Sequence, residues 1–494
     1  MKYYLGIDQG TTGTTSIVFD EEWNICGKGY VEHKQYYPKP GWVEHDPIEI
    51  WEKTKESVAT ALIQAGINAN DLRSIGLDNQ GETCMAWDKK SGKPIYNAIV
   101  WQDRRTAKRA DELKEKYNEL IAKRTGLTID AYFSALKIKW ILDNISEAKE
   151  KADKGDLLVG TLDTWLLWKM TGGEIYVTDS STASRTMLFN LHTNQWDDEI
   201  LNIIGIEKSI LPQIKDSAKI YGYTSLEFID AKIPIAGSVV DQAAALFGQA
   251  CFDKGSVKTT YGTGCFMLMN TGDKPIVSEN GLITTAVWSL DNKITYALDG
   301  GVYIGGAAVQ WLRDGLEIIK SADETEALAK SVPNTGGVYF VPAFTGLAAP
   351  YWDQYARGTI IGITGGTRRE HIVRATLEAI AYQVAENLEV MQEDSGIKIE
   401  TMRADGGAVV NEFLMQFQAD VLGIPVDVPV INETTALGAA YLSALGVGDF
   451  NSVKEINSNW KLNKRYVPSI DKDQRESMIE QWKKAVQRAT NWIK

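Results

Sequence analysis

The chain has 494 residues and a formal charge of −13, with 44% hydrophobic and 24% charged residues. That balance excludes a disordered chain, and the acidic excess argues against a nucleic-acid partner. Its length exceeds the ~250–300 residues at which single cores stop growing, so two large domains are expected, with three as the alternative.

Residues 2–7 are apolar and aromatic and end at Asp8. This run is too short for a signal peptide, and no apolar stretch approaches the ~20 residues of a membrane span. Cys26, Cys84, Cys251 and Cys265 are scattered without a C-x-x-C pair, which fits free thiols in a reducing cytoplasm. The four histidines lack metal-ligand spacing, so a zinc site is not expected.

The chain opens as strand, turn, strand. A turn rich in Gly and Thr, Asp8-Gln9-Gly10-Thr11-Thr12-Gly13-Thr14, follows the first strand, and 16–19 and 23–29 read as the next two. Pro47–Ala65 reads as a helix capped by Asp46, with Pro47 in the first turn. A strand at 72–77, a charged helix at 106–125 and a helix at Ser134–Asn144 follow. The run 241–247 is helical and leads to a boundary near 251–255, which divides the chain into domains 1–250 and 251–494. The second half begins like the first. The segment 255–260 leads into Tyr261-Gly262-Thr263-Gly264, and 265–270 resumes as a strand. The two Gly–Thr turns lie about half the chain apart, a weak internal repeat. Helices at 371–393, Glu412–Leu422 and 435–445 complete an α/β layered pattern. No long linker separates the halves, so the domains should pack directly on each other.

Glycine turns let successive backbone N–H groups converge on an anion. A carboxylate beside such a nest repels phosphate unless Mg²⁺ sits between them. Asp8 with Gly10, Thr11 and Thr12 therefore reads either as a metal-nucleotide phosphate site or as a plain hairpin turn. The turn at 261–264 carries the same two readings, and together the pair favours phosphate binding across a cleft. Neither Gly27-Lys28 nor Gly92-Lys93 is followed by Ser or Thr, so there is no Walker A loop, and no dinucleotide fingerprint is present. Gly305-Gly306 before Gln310, and Gly406-Gly407 before Asn411, fit an adenine and ribose slot or close helix packing. Asp241, at a helix start, is a cap or a general base. Gly81, Glu82, Trp101 and Tyr132 form a small polar-aromatic pocket or belong to surface loops.

Longer blocks then resolve these choices. The stretch 37–47, the stretch 93–102, the block 260–272, the pattern Tyr132, Ser134, Lys137, Trp140, Asn144 and the segment 358–378 resemble the FGGY carbohydrate kinases, most closely the branch that acts on glycerol. The resemblance runs from about residue 3 to 450. It implies two actin-like, ribonuclease H-like α/β domains with ATP in the interdomain cleft, and transfer of the γ-phosphoryl group to a primary hydroxyl. By position, Asp241 would be the general base and Asp8 would hold Mg²⁺. Thr11, Thr12, Gly13 and Thr263 would meet the phosphates, and Gly306, Gln310, Gly407 and Asn411 the nucleoside. Gly81, Glu82, Trp101, Tyr132, Asp241 and Gln242 would surround a polyol. A cytoplasmic homo-oligomer is also implied.

Three positions depart from the family pattern. Gly81 stands where an Arg is usual, Thr15 where an Arg is usual, and Val240 where a Gly is usual. Losing one charged donor costs about 1.5–3 kcal/mol per hydrogen bond. Gly81 is therefore expected to weaken glycerol binding or to make room for a four-carbon alditol such as erythritol or threitol. A non-catalytic ATP-dependent regulator is the reading from outside enzymology.

Overall fold

Two mixed β-sheets, laid out on one plan, organise the chain. In the computed structural model, which describes residues 2–493, the first sheet runs in the order Ala218–Tyr223, Pro234–Val240, Leu72–Asn79, Tyr3–Gln9, Gly13–Phe19, Ile25–Glu32. The second runs Ile283–Leu290, Lys293–Val302, Cys265–Gly272, Val257–Tyr261, Met402–Asp405, Val426–Pro429, Leu462–Tyr466. In each, the leading strand pairs antiparallel with its hairpin partner and parallel with a strand that arrives much later. A third antiparallel strand flanks the hairpin, and a second parallel strand closes the other side. The weak repeat of Gly–Thr turns thus marks a repeat of whole five-strand units, and the expected two-domain α/β architecture is observed.

Local chemistry places the elements. Asp46 caps Pro47–Ala65 by accepting from the Ile48 and Glu49 amides. Gly27 and Gly29 let this helix lie on the sheet, since a Cβ at either would fall 2.2 Å from Ala61 O or 2.0 Å from Ser57 O. Expected boundaries shift slightly. Trp23 has a left-handed backbone (φ 64°) and belongs to a turn, so the third strand starts at Ile25. The strand expected over 72–77 continues to Asn79 because it stays paired with Tyr3–Gln9, which brings Asp78 beside Asp8. The helix expected over 371–393 spans Arg369–Ser395.

The two halves exchange helices. Thr434–Gly446 lies in the chain between two strands of the second sheet yet packs on the first, where a Cβ on Gly6 or Gly76 would come within 2.1 Å of Ala436 O or 1.9 Å of Ala439 O. It crosses Asp241–Gly248 at paired glycines. A Cβ on Gly248 would sit 2.0 Å from Thr434 O, and one on Gly438 1.9 Å from Ala244 O. Tyr4, Ile17, Phe247, Leu268, Trp288, Leu437 and Tyr441 share one buried cluster around this crossing. Each large side chain so buried contributes about 1.5–3 kcal/mol, so the halves pack directly, as their lack of a linker predicts. Among the described residues, no helix is long and apolar enough to cross a membrane.

Candidate active site

The first Gly–Thr turn is held from behind. Gly10 N donates to Gly13 O at 3.0 Å. The carbonyls of Gly10, Thr11 and Thr12 accept from Gln80 Nε2, Gln35 Nε2 and His33 N. With its carbonyls occupied, the turn presents its amide edge outward, an anion nest. Thr11 is half-buried and Thr12 exposed. Gly13 is tightly packed, and a Cβ there would meet Val31 O at 2.7 Å.

Asp8 stands at the base of this turn, in register with Asp78 on the parallel neighbour. Asp8 Oδ2 accepts from Thr435 Oγ1 at 2.7 Å. Asp78 is fully buried, and the partner its carboxyl meets is the carboxyl of Asp8. Burial pushes both carboxyls above the usual range, and the charge of Asp8 pushes Asp78 further. Two adjacent carboxyls of this kind repel as anions and are relieved by a proton or a divalent cation.

The second turn mirrors the first, with Gly262 N bonded to Gly264 O at 2.9 Å. Gly305 N and Ala307 N donate to Thr263 O, and Gly306 N donates to Gly262 O at 2.9 Å, so the helix Gly306–Asp314 starts against the turn. Gly306 is required by closeness, since a Cβ there would lie 2.7 Å from Gly262 O. Gly406 has φ 92°, and a Cβ there would meet Tyr261 O from the other side at 2.5 Å. Gln310 and Gly407 are exposed, and nothing lies within 4 Å of a Cβ built on Gly407. Asn411, expected at the nucleoside, is also a helix cap. Its Oδ1 caps Glu412–Leu422 by accepting from Leu414 N, and its Nδ2 donates to Thr325 Oγ1 at 3.1 Å. One Nδ2 hydrogen and one Oδ1 lone pair remain for a ligand.

Between the turns lies Asp241, the first residue of its helix. It is not the cap, which is Val240. Its Oδ1 accepts from Gln242 N at 2.6 Å. Burial, with the carboxylates of Glu82 and Asp8, pushes it up to about 7, against the opposing pull of Lys258. Lys258 is fully buried and donates to Gln242 Oε1 at 2.5 Å and to Thr260 Oγ1 at 2.9 Å. Trp101 and Tyr132 meet edge to face with centroids 5.7 Å apart, and Trp101 Nε1 donates to Thr11 Oγ1 at 2.9 Å. Glu82 Oε1 accepts from Arg185 Nε at 2.6 Å.

The space beside Gly81 is filled. A Cβ there would fall 2.6 Å from Val240 Cγ2 and 3.1 Å from Arg185 Cγ. At the Cβ position, Val240 and the Arg185 stem take up the volume that a side chain at 81 would use.

Sequence reading missed Asp78, Arg185, Lys258, Asp299 and Thr435. Two of these carried a signal. Lys258 and Thr260 alternate with Val257, Thr259 and Tyr261, which sets a lysine on one face of a buried strand. Asp78 follows an apolar strand pattern, where an unpaired carboxylate is costly without a role. Arg185 and Thr435 lie in unremarkable polar runs, and only tertiary folding brings them in.

The chain belongs to the FGGY family of carbohydrate kinases. The family's N-terminal domain matches residues 3–248 and its C-terminal domain residues 257–447. The relatives include "Glycerol kinase 2" of Thermotoga maritima, 60% identical with 100% of each chain covered. They also include a "Glycerol kinase" of Caldanaerobacter subterraneus subsp. tengcongensis, 56% identical over 99% of each. Among solved structures, the glycerol kinase of Plasmodium falciparum with ADP superposes with a TM-score of 0.93. It is 39% identical, with 99% of this chain and 98% of that one covered. A xylulose kinase from Lactobacillus acidophilus, at 22% identity and a TM-score of 0.87 over 99% of this chain and 97% of that one, shares the fold.

Proposed function

We propose that this chain transfers the γ-phosphoryl group of ATP to a terminal hydroxyl of glycerol, giving glycerol 3-phosphate. The observation that carries the reading is Asp241, held between two Gly–Thr turns with its carboxyl raised to about 7, a basicity matched to accepting a proton near neutrality. Relatives named for glycerol phosphorylation, at 56–60% identity over essentially their whole length, support the acceptor.

The chain's own groups divide the work. Glu82, Tyr132, Trp101 and Gln242 hold the polyol so that one terminal hydroxyl meets Asp241. With Oδ1 pinned by Gln242 N, Oδ2 takes the hydroxyl proton as the new O–P bond forms and the γ-phosphorus–oxygen bond to the departing ADP breaks. The amides of both turns, with the hydroxyls of Thr11, Thr12 and Thr263, hold the phosphates in line and exclude water, the competing acceptor. Gly306, Gln310 and Gly407 form the nucleoside side, with Asn411 positioning the helix beside them. Asp8 would hold Mg²⁺, with Asp78 behind it. The fit rests on two adjacent raised carboxyls that face each other. When bound, the ion neutralises charge on the phosphate oxygens. In this reading residues 1–250 bind the acceptor and 251–494 the nucleotide. The four unpaired cysteines support a cytoplasmic setting.

Initial rates of ADP release with glycerol, erythritol, threitol and short ketoses test the proposal. Glycerol should give the highest kcat/KM, and a four-carbon alditol outperforming it would overturn the acceptor assignment. Acceptor-dependent turnover surviving in Asp241→Asn would remove the proposed base.

A further inference from the structure

A polyol hydroxyl both donates and accepts, so its pocket must supply donors as well as acceptors. A carboxylate such as the proposed base Asp241 only accepts. The Trp101 N–H is spent on Thr11; Lys258 fixes Gln242 through Oε1, which leaves Gln242 Nε2 and the Tyr132 hydroxyl as neutral donors. A charged donor stands at the wall on the Glu82 and Tyr132 side. The Arg185 guanidinium stands 5.8 Å from the centroids of both the Tyr132 and Phe133 rings. It donates through Nε to Glu82 at 2.6 Å and through Nη1 to Asp299 at 2.8 Å. Asp299 lies on Lys293–Val302 of the second sheet, so the arginine bridges the two halves.

Arg185 is 7% exposed, and buried donors are almost always satisfied. Yet Nη2 has no hydrogen-bond partner among the described residues, and it is not one of the fully covered polar atoms without a partner. It therefore keeps some open surface, next to Glu82 and Tyr132. The stem that delivers it runs over Gly81, with Cγ 3.1 Å from where a Cβ would be, and Val240 closes the same space from the other side. Gly81 has no positive φ, so glycine is needed there for space.

We propose that Arg185 binds the acceptor, its Nη2 donating to a polyol hydroxyl, and that Gly81 and Val240 are the wall that seats it. The proposal rests on the phosphorylation of glycerol argued above and deepens it. It makes Arg185 a specificity-determining residue that reads the presence of a hydroxyl.

Two deoxy analogues provide the test. Propane-1,2-diol lacks a terminal hydroxyl of glycerol, and propane-1,3-diol lacks the central one. The wild-type enzyme should prefer glycerol over one of them by ~10-fold or more in kcat/KM, as loss of a charged hydrogen bond requires. In Arg185→Lys, which keeps the charge but cannot serve Glu82, Asp299 and a hydroxyl together, that preference should shrink ~10-fold. The KM for ATP should stay within ~2-fold. A purely structural role would depress all three acceptors alike, and unchanged ratios would overturn the proposal. Crystals of the wild-type chain with glycerol read the same contact without a variant. An acceptor oxygen at ~2.7–3.2 Å from Nη2 is expected, and a guanidinium out of contact with every glycerol oxygen overturns it. If the wild-type enzyme phosphorylates no glycerol, the reading of function fails instead.

Discussion

The indole Nε1 of Trp101 donates a 2.9 Å hydrogen bond to Thr11 Oγ1, and this one contact joins the acceptor wall to the first phosphate turn. The same ring packs edge to face on Tyr132. Removing the donor should therefore be felt on both substrates. Trp101→Phe keeps most of the ring contact and loses the hydrogen bond, worth about 0.5–1.5 kcal/mol. The expected result is a ~2- to 10-fold rise in KM for both ATP and the polyol. A change confined to the polyol would show that the link to Thr11 does not matter.

Asp241 must be ionised to accept a proton. Its carboxyl is raised to about 7, so kcat/KM should fall as pH drops below that value and level off above it. Lys258 pulls in the opposite direction. Lys258→Met should move the ascending limb to higher pH, and Asp241→Asn should lower the rate by ~10²-fold or more. A pH profile whose limb does not respond to Lys258→Met would sink the proposed electrostatic coupling.

Much of this was readable in the sequence. Asp46 with Pro47 marks a helix start, and the two Gly–Thr turns mark the heads of two sheets. These signals are local, so they survive without knowledge of the fold. What stayed hidden depends on chain segments far apart. Thr435 reaches Asp8 only because Thr434–Gly446 crosses to the other half's sheet. Arg185 enters the pocket only through Glu82 and Asp299, one from each half. Asn411 illustrates the reverse. A polar residue at a helix start reads as a ligand or as a cap, and its bonds to Leu414 and Thr325 show that it is at least a cap. Gly81 had been legible as a departure but not its consequence, since Val240 is remote in sequence and adjacent in space.

That adjacency gives a third prediction. Gly81→Arg alone does not restore a donor to an empty space, because its Cβ would meet Val240 Cγ2 at 2.6 Å. Overpacking of this kind costs about 1–3 kcal/mol. The single variant should melt at lower temperature and bind glycerol worse than wild type. Adding Val240→Gly should recover part of both losses. Additive effects of the two substitutions, measured by thermal melting and by KM, would show that the positions do not share the space.

The buried pair His33 and His45, with ring centroids 4.6 Å apart, should make the first turn sensitive to acid. Gln35 Nε2 donates to Thr11 O, which turns Gln35 Oε1 toward His45, whose Nε2 bonds to it at 2.7 Å. His45 thus donates from Nε2 while neutral, and behind it stands the turn that holds phosphate. Burial and the neighbouring His33 pull His45 down to about 3, and burial lowers His33 as well. The unfolded chain binds a proton at about 6.5. Between those values the unfolded state is the more protonated, so stability falls as pH drops from ~6.5 toward 3, at up to ~1.4 kcal/mol per pH unit for one site. Raised carboxyls such as Asp163, Glu378 and Glu386 act with the opposite sign, so the wild-type curve alone mixes both. The difference between wild type and His45→Gln isolates the histidine. Urea midpoints measured from pH 8 to 4 should diverge below ~6.5, with the variant losing less stability on acidification. Parallel curves would show that His45 is protonated as readily in the folded chain as in the unfolded one.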